Sequence, residues 1–470
     1  MKVEELVQVV PLQRQIEYQK TEFYAFVHFT VNTFTDKEWG DGTESETCFN
    51  PTELDCEQWV LACKAAGMKG LILTCKHHDG FCLWPSAYTE HSVKNSPWKN
   101  GKGDVVKEAS DACKKHGLKF GVYLSPWDRN SKVYGTGKEY DDYYCAQMTE
   151  LLTNYGEIFC VWMDGACGEG PNGKKQQYDF SRYFEVVSRL MPNACTAICG
   201  KDIRWCGNEA GICRDAEWSV VSGRLCSGSE TIKRSQSSVD DAARLRMKCD
   251  NDDVGSTALM ANEDSAVWFP AEVDTSIRPG WFYHKGEDAH VRSLEDLRKV
   301  YYGSVGGNGM LLLNIPPDRR GLFNEIDVAR LKELGDSIKA DIGHNYIDEN
   351  TTKFKASSTE EGTDIENVTC DEYDCYYATP DGTESCDIEI TLAKPEEIGF
   401  VTLKENIKLS QRIEEFAIDL FLDGEWKNVY NGYTVGYKRI AKFDRAVTDR
   451  VRIRVTKSRL KVTLSYIAIS

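Results

Sequence analysis

The sequence predicts an α/β fold, a (β/α)8-like barrel of parallel strands, followed by a smaller C-terminal all-β sandwich. Up to about residue 343, short apolar runs alternate with stretches in which apolar residues recur every three or four positions, as in strand–helix repeats. After that point apolar and polar residues alternate, which is typical of half-buried antiparallel strands. We therefore assign the barrel to residues 1–343 and the sandwich to residues 344–470.

Eight apolar runs are candidates for the barrel strands, and eight is the number that a closed barrel of this type requires. They lie at 23–30, 70–76, 119–125, 158–164, 195–200, 216–221, 267–274 and 310–315. The run at 158–164 is the clearest, because a continuous apolar segment between Gly156 and Gly165 is typical of a strand covered on both faces. The fifth and sixth runs are weak, so we expect the barrel to be irregular there.

The segments between these runs have the spacing of amphipathic helices. Apolar side chains recur at Met148, Leu151, Leu152 and Tyr155, and again at Leu331, Leu334 and Ile338. In the second domain, the stretches 416–422, 451–455 and 462–469 alternate apolar and polar residues, and turn signals lie at 380–382 and 423–424. This pattern indicates a β-sandwich that packs against the barrel.

Composition argues against several classes of partner. The formal net charge of −17 disfavours binding to nucleic acid or to an anionic membrane, since both would be repelled. The N-terminus carries no apolar signal region and no run is long enough to span a bilayer, which favours a cytoplasmic location. The 18 cysteines are scattered and contain no Cys-x-x-Cys pair, so we predict reduced thiols and no structural metal site.

Polar side chains stand at the carboxyl ends of the first four predicted strands. They are His28, the pair His77 and His78, Tyr123, and Asp164. In a parallel barrel this end collects the catalytic groups, although spacing alone also allows Asp164 to cap the next helix. His28 is not part of a His-x-His pair, which weakens a metal-hydrolase interpretation, whereas neutral imidazoles suit sugar hydroxyls. Trp39, Trp84 and Trp162 lie near the same predicted rim and offer stacking faces for a sugar.

A nucleophilic Asp164 would require a second carboxyl group as the acid for acetal hydrolysis. Glu209 is the first candidate, because it lies in a glycine-containing loop beside Trp205, whose ring would raise the pKa of the carboxyl group by excluding water. Four rivals are not separated from Glu209 by spacing: Asp202, Asp215, Glu217 and Glu272.

Several motifs resemble the α-L-fucosidases of glycoside hydrolase family 29. They are HFTVNTF at 28–34, KHHDGFCLWPS at 76–86, FGVYLSPW at 120–127, VWMDGA at 161–166, SIRPGWFYH at 276–284 and GMLLLNIPPDRRG at 309–321. The resemblance implies a retaining exo-α-L-fucosidase on a (β/α)8-like barrel, with no metal or organic cofactor. It implies that Asp164 is the nucleophile. The residues that it implies for substrate binding are His28, His77, His78 and Tyr123, together with the pair Glu38 and Trp39. Trp162 joins the predicted substrate-binding residues as a stacking face.

Two segments resemble the branch of this family that is selective for α-1,3/1,4-linked fucose on branched Lewis-type glycans, namely RWCGNEAG at 204–211 and the segment at 276–284. In that branch Glu209 would be the acid/base residue and Trp281 would line the sugar site. Thr30 departs from the commoner form of the family, which has glycine there. The second domain resembles a discoidin-like β-sandwich, most clearly at 436–440.

The expected partners are fucosylated oligosaccharides or glycoconjugates, with no nucleic acid and no membrane. The oligomeric state is not predicted. Two alternative functions remain open at this point. One is a broad α-L-fucosidase that also acts on 1,2 and 1,6 links, and the other is a catalytically inactive fucose-binding protein.

Overall fold

The computed structural model describes residues 1–226 and 253–470, and its first domain is built around a nearly closed barrel of eight parallel strands. The strands of this domain, within the described residues, are β1 (Phe23–Val27), β2 (Gly70–Lys76), β3 (Lys119–Leu124), β4 (Cys160–Met163), β5 (Cys195–Ile198), β6 (Arg204–Trp205), β7 (Val220–Ser222), β8 (Ala266–Trp268), β9 (Ala271–Ser276) and β10 (Met310–Asn314). Around the barrel the order is β5-β4-β3-β2-β1-β10-β9-β6. A parallel bridge between Ala197 and Ile203 links the two ends of this order. The predicted fold class of this domain is confirmed.

Helices surround the barrel, as the amphipathic spacing predicts. Those of the described residues are Val3–Leu6, Gln13–Gln19, Val31–Thr35, Cys56–Ala65, Val105–His116, Lys138–Asn154, Phe180–Leu190, Thr257–Met260, Leu294–Ser304 and Glu325–Ile342. Most of the longer helices begin at a polar cap whose side chain accepts a hydrogen bond from a backbone N–H of the first turn. These caps are Asp55, Asp104, Asp179, Ser293 and Asn324. None of the helices that the structure describes is long and apolar enough to cross a membrane.

The prediction of the sixth barrel strand at 216–221 is wrong. The strand in that region, β7, pairs antiparallel with β8 outside the barrel. The sixth barrel strand is β6, which pairs with β9 in parallel and has only two residues, too few to show a periodic pattern. The predicted strand at 267–274 is divided into β8 and β9 at Pro270, a residue that has no N–H to donate to a ladder.

The second domain is antiparallel, and its predicted all-β class is confirmed. Its strands are β11 (Lys353–Ala356), β12 (Tyr377–Ala378), β13 (Cys386–Lys404), β14 (Ile413–Leu422), β15 (Glu425–Gly432), β16 (Arg439–Ser458), β17 (Thr463–Leu464) and β18 (Tyr466–Ile469). Six of them form one sheet in the order β11-β13-β16-β14-β15, with β18 paired to β13, while β12 pairs with β17. Register shifts interrupt the long β13–β16 ladder, and such bulges bend a sheet around its core.

The prediction that the cysteines are reduced is wrong for one pair. Cys370 and Cys375 form a disulfide, with their Cα atoms 6.2 Å apart, and they lie in a loop of the second domain between Lys353 and Tyr377. Two cysteines five positions apart in such a loop reach the spacing that a disulfide needs. The other fifteen cysteines of the described residues are free, and most of them are buried.

Candidate active site

A cavity of about 320 Å³ opens at the carboxyl ends of the barrel strands. This is the volume of a small-ligand site. Eight of the residues predicted for the site line it: His28, Trp39, His77, His78, Trp162, Asp164, Glu209 and Trp281. Trp205, which sequence analysis placed beside Glu209, also lines the cavity. Further lining residues, which sequence analysis did not assign to substrate or chemistry, include Trp127, Lys175 and Asp274. Strands β1, β2 and β4 therefore deliver their terminal side chains to this cavity, as their parallel direction requires, whereas Tyr123 of β3 does not line it.

Asp164 follows β4 directly, and both of its carboxylate oxygens are held in place. Oδ1 accepts a hydrogen bond from the Ala166 backbone N–H at 2.7 Å, and Oδ2 accepts one from the Tyr123 hydroxyl at 2.9 Å. The hydrogen bond from Ala166 has the geometry of a helix cap, but no helix follows at that position. The carboxylate instead lies in the cavity wall, with 22% of the side-chain surface exposed. Tyr123 is fully buried behind Asp164 and orients it.

His28 and His78 are each fixed by a hydrogen bond that determines which ring nitrogen carries the proton. Nδ1 of His28 lies 2.8 Å from the Asn314 amide oxygen, an acceptor, so the proton is on Nδ1. Nδ1 of His78 lies 2.7 Å from Ser125 Oγ, whose own proton is donated to the Trp127 carbonyl. In the neutral rings, Nε2 of both residues is therefore an acceptor suited to a ligand hydroxyl.

Burial keeps His28 and His77 neutral. Burial lowers the pKa of His28 to about 3, although the hydrogen bond to Asn314 acts to raise it. Burial, followed by the neighbouring rings of His78 and His28, lowers the pKa of His77 well below its usual range. Nε2 of His78 lies 3.8 Å from Asp164 Oδ2. The cavity thus presents uncharged nitrogen atoms beside a carboxylate, a surface for hydroxyl groups rather than for anions.

Aromatic rings form the remaining walls. Trp39 is 42% exposed at the mouth and contacts His78 edge to face, with ring centres 5.6 Å apart. Trp162 donates its indole N–H to Glu272 Oε1 at 2.7 Å, and Trp281 packs at 5.3 Å from His28. The prediction that Trp84 lies at the rim is wrong, because Trp84 is buried in the core and donates its N–H to Glu150 at 2.8 Å. The preceding residues 81–83 are also buried.

Glu38 lies beside the cavity and fastens the segment that carries Trp281. Its carboxylate accepts hydrogen bonds from the backbone N–H groups of Trp281 and of Phe282, the second at 3.2 Å. It also contacts Nε2 of His284 at 3.0 Å, and the other nitrogen of His284 lies 3.0 Å from Asp36. The predicted contact between Glu38 and a sugar stays a prediction, and the observed contacts assign Glu38 a holding role.

We expect this contact to make part of the protein's stability dependent on pH. The hydrogen bond to Glu38, opposed by partial burial, raises the pKa of His284 to about 9 from the ordinary value of 6.5. The stabilisation is therefore complete below pH 6.5 and is lost as the pH rises through 9. His284→Gln is expected to be less stable than the parent near pH 6, by an amount that shrinks above pH 9, in urea unfolding at both values.

The exposed His290, six positions further on, provides the matched control. His290→Gln is expected to leave the difference in free energy of unfolding flat across the same range. A constant deficit for His284→Gln between pH 6 and pH 10 would show that His284 carries no charge in the folded protein.

Glu209 reaches the cavity from the loop between β6 and β7, and buried contacts hold this loop. Arg214 donates to the Cys206 carbonyl at 3.1 Å and to the Glu217 carboxylate at 3.2 Å, and Arg204 also donates to Glu217. Gly211 has a φ of +84°, and a Cβ there would meet Val300 at 2.8 Å, so the turn after Glu209 requires glycine.

The second domain also holds this loop. The backbone carbonyl of Glu217 accepts hydrogen bonds from Thr434 at 2.9 Å and from Gln411 at 3.2 Å, and Arg439 donates to the Asp215 carbonyl at 3.0 Å. The antiparallel domain therefore contributes to the position of Glu209 without reaching the cavity itself.

The four rivals of Glu209 do not line the cavity. Asp202 is buried and paired with Arg14, and Glu217 is fully buried against its two arginines. Asp215 is exposed elsewhere on the loop. Glu272 is fully buried inside the barrel, where Tyr18, Tyr24 and Trp162 donate to it. Among the five candidate carboxyl groups from sequence, Glu209 is the one that lines the cavity with Asp164.

Sequence analysis missed two polar residues of the site. Asn314, at the end of β10, orients His28 and donates to Ser276 Oγ and to the Trp281 carbonyl, both at 2.9 Å. Asp274, on β9, accepts the indole N–H of Trp205 at 2.7 Å and lines the cavity. Both follow the rule that identified Asp164, since each is a polar residue near the carboxyl end of a parallel strand.

One cluster has the residue types of a metal site. The donor atoms of Cys206, Cys213 and Glu217 lie within 4.8 Å of one another. However, the carboxylate of Glu217 is already paired with the guanidinium groups of Arg204 and Arg214, which would repel a cation. The cluster fits a structural fastening of the Glu209 loop and is unsuited to a metal ion.

Comparison with known proteins gives one consistent result. The family model described as alpha-L-fucosidase matches residues 10–341. Alpha-L-fucosidase 1 of Arabidopsis thaliana is 36% identical over 466 residues, which cover 98% of this chain and 87% of the plant protein. A GH29 fucosidase of Ruminococcus gnavus, solved in complex with fucose, is 31% identical with a TM-score of 0.84, covering 98% of this chain and 94% of that one. A glycoside hydrolase 29 family member from a rumen bacterium is 35% identical with a TM-score of 0.78, covering 98% and 77%.

Proposed function

We propose that this chain, which belongs to the alpha-L-fucosidase family, is a retaining exo-fucosidase that releases terminal α-1,3- and α-1,4-linked L-fucose from branched Lewis-type glycans. The chain is an alpha-L-fucosidase, a glycoside hydrolase, by its match over 98% of its length. The observation that carries the proposed mechanism is that Asp164 and Glu209 line one cavity, together with His28 and His78.

In the first step, Asp164 attacks the anomeric carbon and the glycosidic C–O bond breaks. Glu209 donates its proton to the departing oxygen, so that the aglycone leaves as a neutral alcohol. The hydrogen bonds from Tyr123 and from the Ala166 N–H hold the attacking carboxylate in one orientation. The product of this step is a covalent fucosyl-enzyme.

In the second step, water attacks the anomeric carbon from the face that the aglycone has left. Glu209, now ionised, removes a proton from this water, and the bond between Asp164 and the sugar breaks. Two inversions at one carbon give net retention. Where a sugar hydroxyl replaces water as the acceptor, the same intermediate gives transfucosylation.

The cavity supports an exo mode of action. Its volume of about 320 Å³ suits a terminal sugar, and its acceptor nitrogens on His28 and His78 suit the ring hydroxyls. The exposed Trp39 at the mouth and the half-buried Trp281 supply apolar faces. The loop of Glu209 and the segment of Trp281 support the selectivity for α-1,3 and α-1,4 links. Their sequences resemble the branch of the family with that selectivity, and both contribute a side chain to the cavity wall.

The experiment is hydrolysis of a panel of defined fucosylated oligosaccharides with α-1,2, α-1,3, α-1,4 and α-1,6 links, alongside an aryl α-L-fucoside. We expect rapid release from the branched 1,3- and 1,4-linked glycans, and proton NMR at early times should show α-L-fucose first, as retention requires. Similar rates on all four links would replace the selective enzyme by a broad one. Fucose binding without release from any substrate would indicate an inactive binding protein.

A further inference from the structure

The carboxyl group of Asp274 lies in the cavity wall and has no part in the two steps described above. Asp274 is 4% exposed and lies near the carboxyl end of β9, on the same face of the strand as Glu272. A buried carboxyl group at a glycosidase site needs a physical account, because an isolated charge there is costly. The indole N–H of Trp205 donates a hydrogen bond to this carboxyl group.

The path of the chain brings Asp274 and Glu209 to the same cavity. Trp205 of β6 is in register with Glu272 of β9, so that the loop after β6 starts beside the end of β9. The Trp205 indole N–H reaches Asp274 Oδ1 at 2.7 Å, and the loop then carries Glu209 to the same cavity. Asp274 and Glu209 therefore both line this cavity.

Several charged and titratable groups face this pair. On β9 itself, Glu272 lies beneath Asp274. Asp164 at the end of β4 and His28 at the end of β1 line the same cavity. Among the described residues, the cavity wall has one lysine, the exposed Lys175 at its mouth. Burial, and then the negative charges of Glu209 and Glu272, raise the pKa of Asp274 well above its usual range.

We propose that Asp274 is a positioning residue for the reaction, whose carboxyl group holds one proton jointly with Glu209. The inference rests on the proposed function, since it gives the acid/base residue a partner. With one proton and one negative charge on the pair, a proton is available to Glu209 when substrate binds. Two adjacent carboxylates resist full ionisation, as like charges at one site do.

The proton balance of the two steps then follows. When Glu209 transfers the proton to the leaving oxygen, its O–H bond breaks and the pair becomes doubly negative. This raised negative charge makes the pair a stronger base. In the second step the water O–H bond breaks, Glu209 regains the proton, and the pair returns to a single negative charge with no external proton carrier.

The test is the pH profile of kcat/KM for Asp274→Asn. Asparagine keeps the shape of the side chain and an oxygen that accepts from Trp205, but it carries no charge. We expect the alkaline limb of the profile for a Lewis-type trisaccharide to move to lower pH by about one unit or more. At a pH above the new limb, this shift lowers kcat/KM roughly tenfold relative to the parent. The rate on an aryl fucoside with a good leaving group, which needs little protonation, is expected to change much less.

Asp202→Asn is the matched control, because it also neutralises a buried aspartate of the barrel but lies outside the cavity. It is expected to lower stability and to leave the alkaline limb in place. An unmoved limb in Asp274→Asn, with equal losses on both substrates, would reduce Asp274 to a structural residue and overturn the proposal.

Glu209→Ala, measured in parallel, separates this inference from the function on which it rests. If Glu209→Ala shows no dependence on the leaving group, the assignment of the acid/base residue fails. If, in addition, the activity of Asp274→Asn does depend on the leaving group, Asp274 is itself the acid/base residue and the positioning role is wrong. A leaving-group effect in Glu209→Ala with a shifted limb in Asp274→Asn supports both.

Discussion

Replacement of Asp164 by glycine is expected to lower kcat on a Lewis-type trisaccharide on the order of a thousandfold or more, because no covalent intermediate can form without its carboxylate. The loss should extend to an aryl α-L-fucoside, since a better leaving group does not replace a missing nucleophile. The measurement is fucose release under saturating substrate, with thermal unfolding to confirm that the protein remains folded.

Added azide distinguishes the loss of a nucleophile from a general loss of structure. In Asp164→Gly the space of the carboxylate is open, so azide is expected to attack the anomeric carbon from that side and to give a fucosyl azide of inverted, β configuration. Asp164→Asn is the matched control, because its amide fills the same space. It should be equally inactive and should not be rescued.

Two results would contradict the role of Asp164. One is a variant that retains more than a tenth of the parent activity on both substrates. The other is a fucosyl azide of α configuration from Asp164→Gly, since that product requires an intact covalent intermediate.

The four polar strand ends of the site were predictable from sequence for a simple physical reason. Parallel strands of one barrel all finish at one edge, so that His28, His77 and Asp164 must meet once their apolar runs are recognised as strands. The apolar runs are recognisable because strands β1, β2 and β4 are buried on both faces. No knowledge of the loops is needed for this part.

The far side of the barrel was not predictable in the same way. Strand β6 has two residues, and its place is set by pairing with β9 rather than by any pattern of its own. Contacts distant in sequence, such as those from Thr434 and Gln411 to Glu217, hold the loop that follows. A pattern of apolar residues carries no information about such contacts.

The depth of a side chain in the barrel also escapes sequence analysis. Glu272 and Asp274 are two positions apart on one face of β9. Glu272 is buried beneath the cavity, where three side chains donate hydrogen bonds to it, whereas Asp274 lines the cavity. Sequence analysis weighed Glu272 as a rival acid and passed over Asp274. The register of β9 against β6 and β10 decides which of the two reaches the cavity.

The second large effect is expected from Glu209→Ala, and its signature is a dependence on the leaving group. The oxygen of a sugar alcohol is a poor leaving group and needs a proton, so the rate on the trisaccharide should fall by about 10² to 10⁴. An activated aryl group leaves without a proton, so the first step on the aryl fucoside should be nearly unchanged. The measurement is kcat/KM on both substrates.

Without Glu209 the fucosyl-enzyme forms but water attacks it slowly, because its proton has no acceptor. On the activated aryl fucoside this intermediate is expected to accumulate, visible as a burst of released phenol followed by slow turnover. Azide needs no base, so it should restore the steady rate and give the fucosyl azide of retained, α configuration. This product is opposite to that from Asp164→Gly, and the pair of configurations assigns the two carboxyl groups to opposite faces of the sugar. Equal losses on both substrates, with no burst and no effect of azide, would remove Glu209 from the acid/base role and leave Asp274 as the carboxyl group next to be tested in the cavity wall.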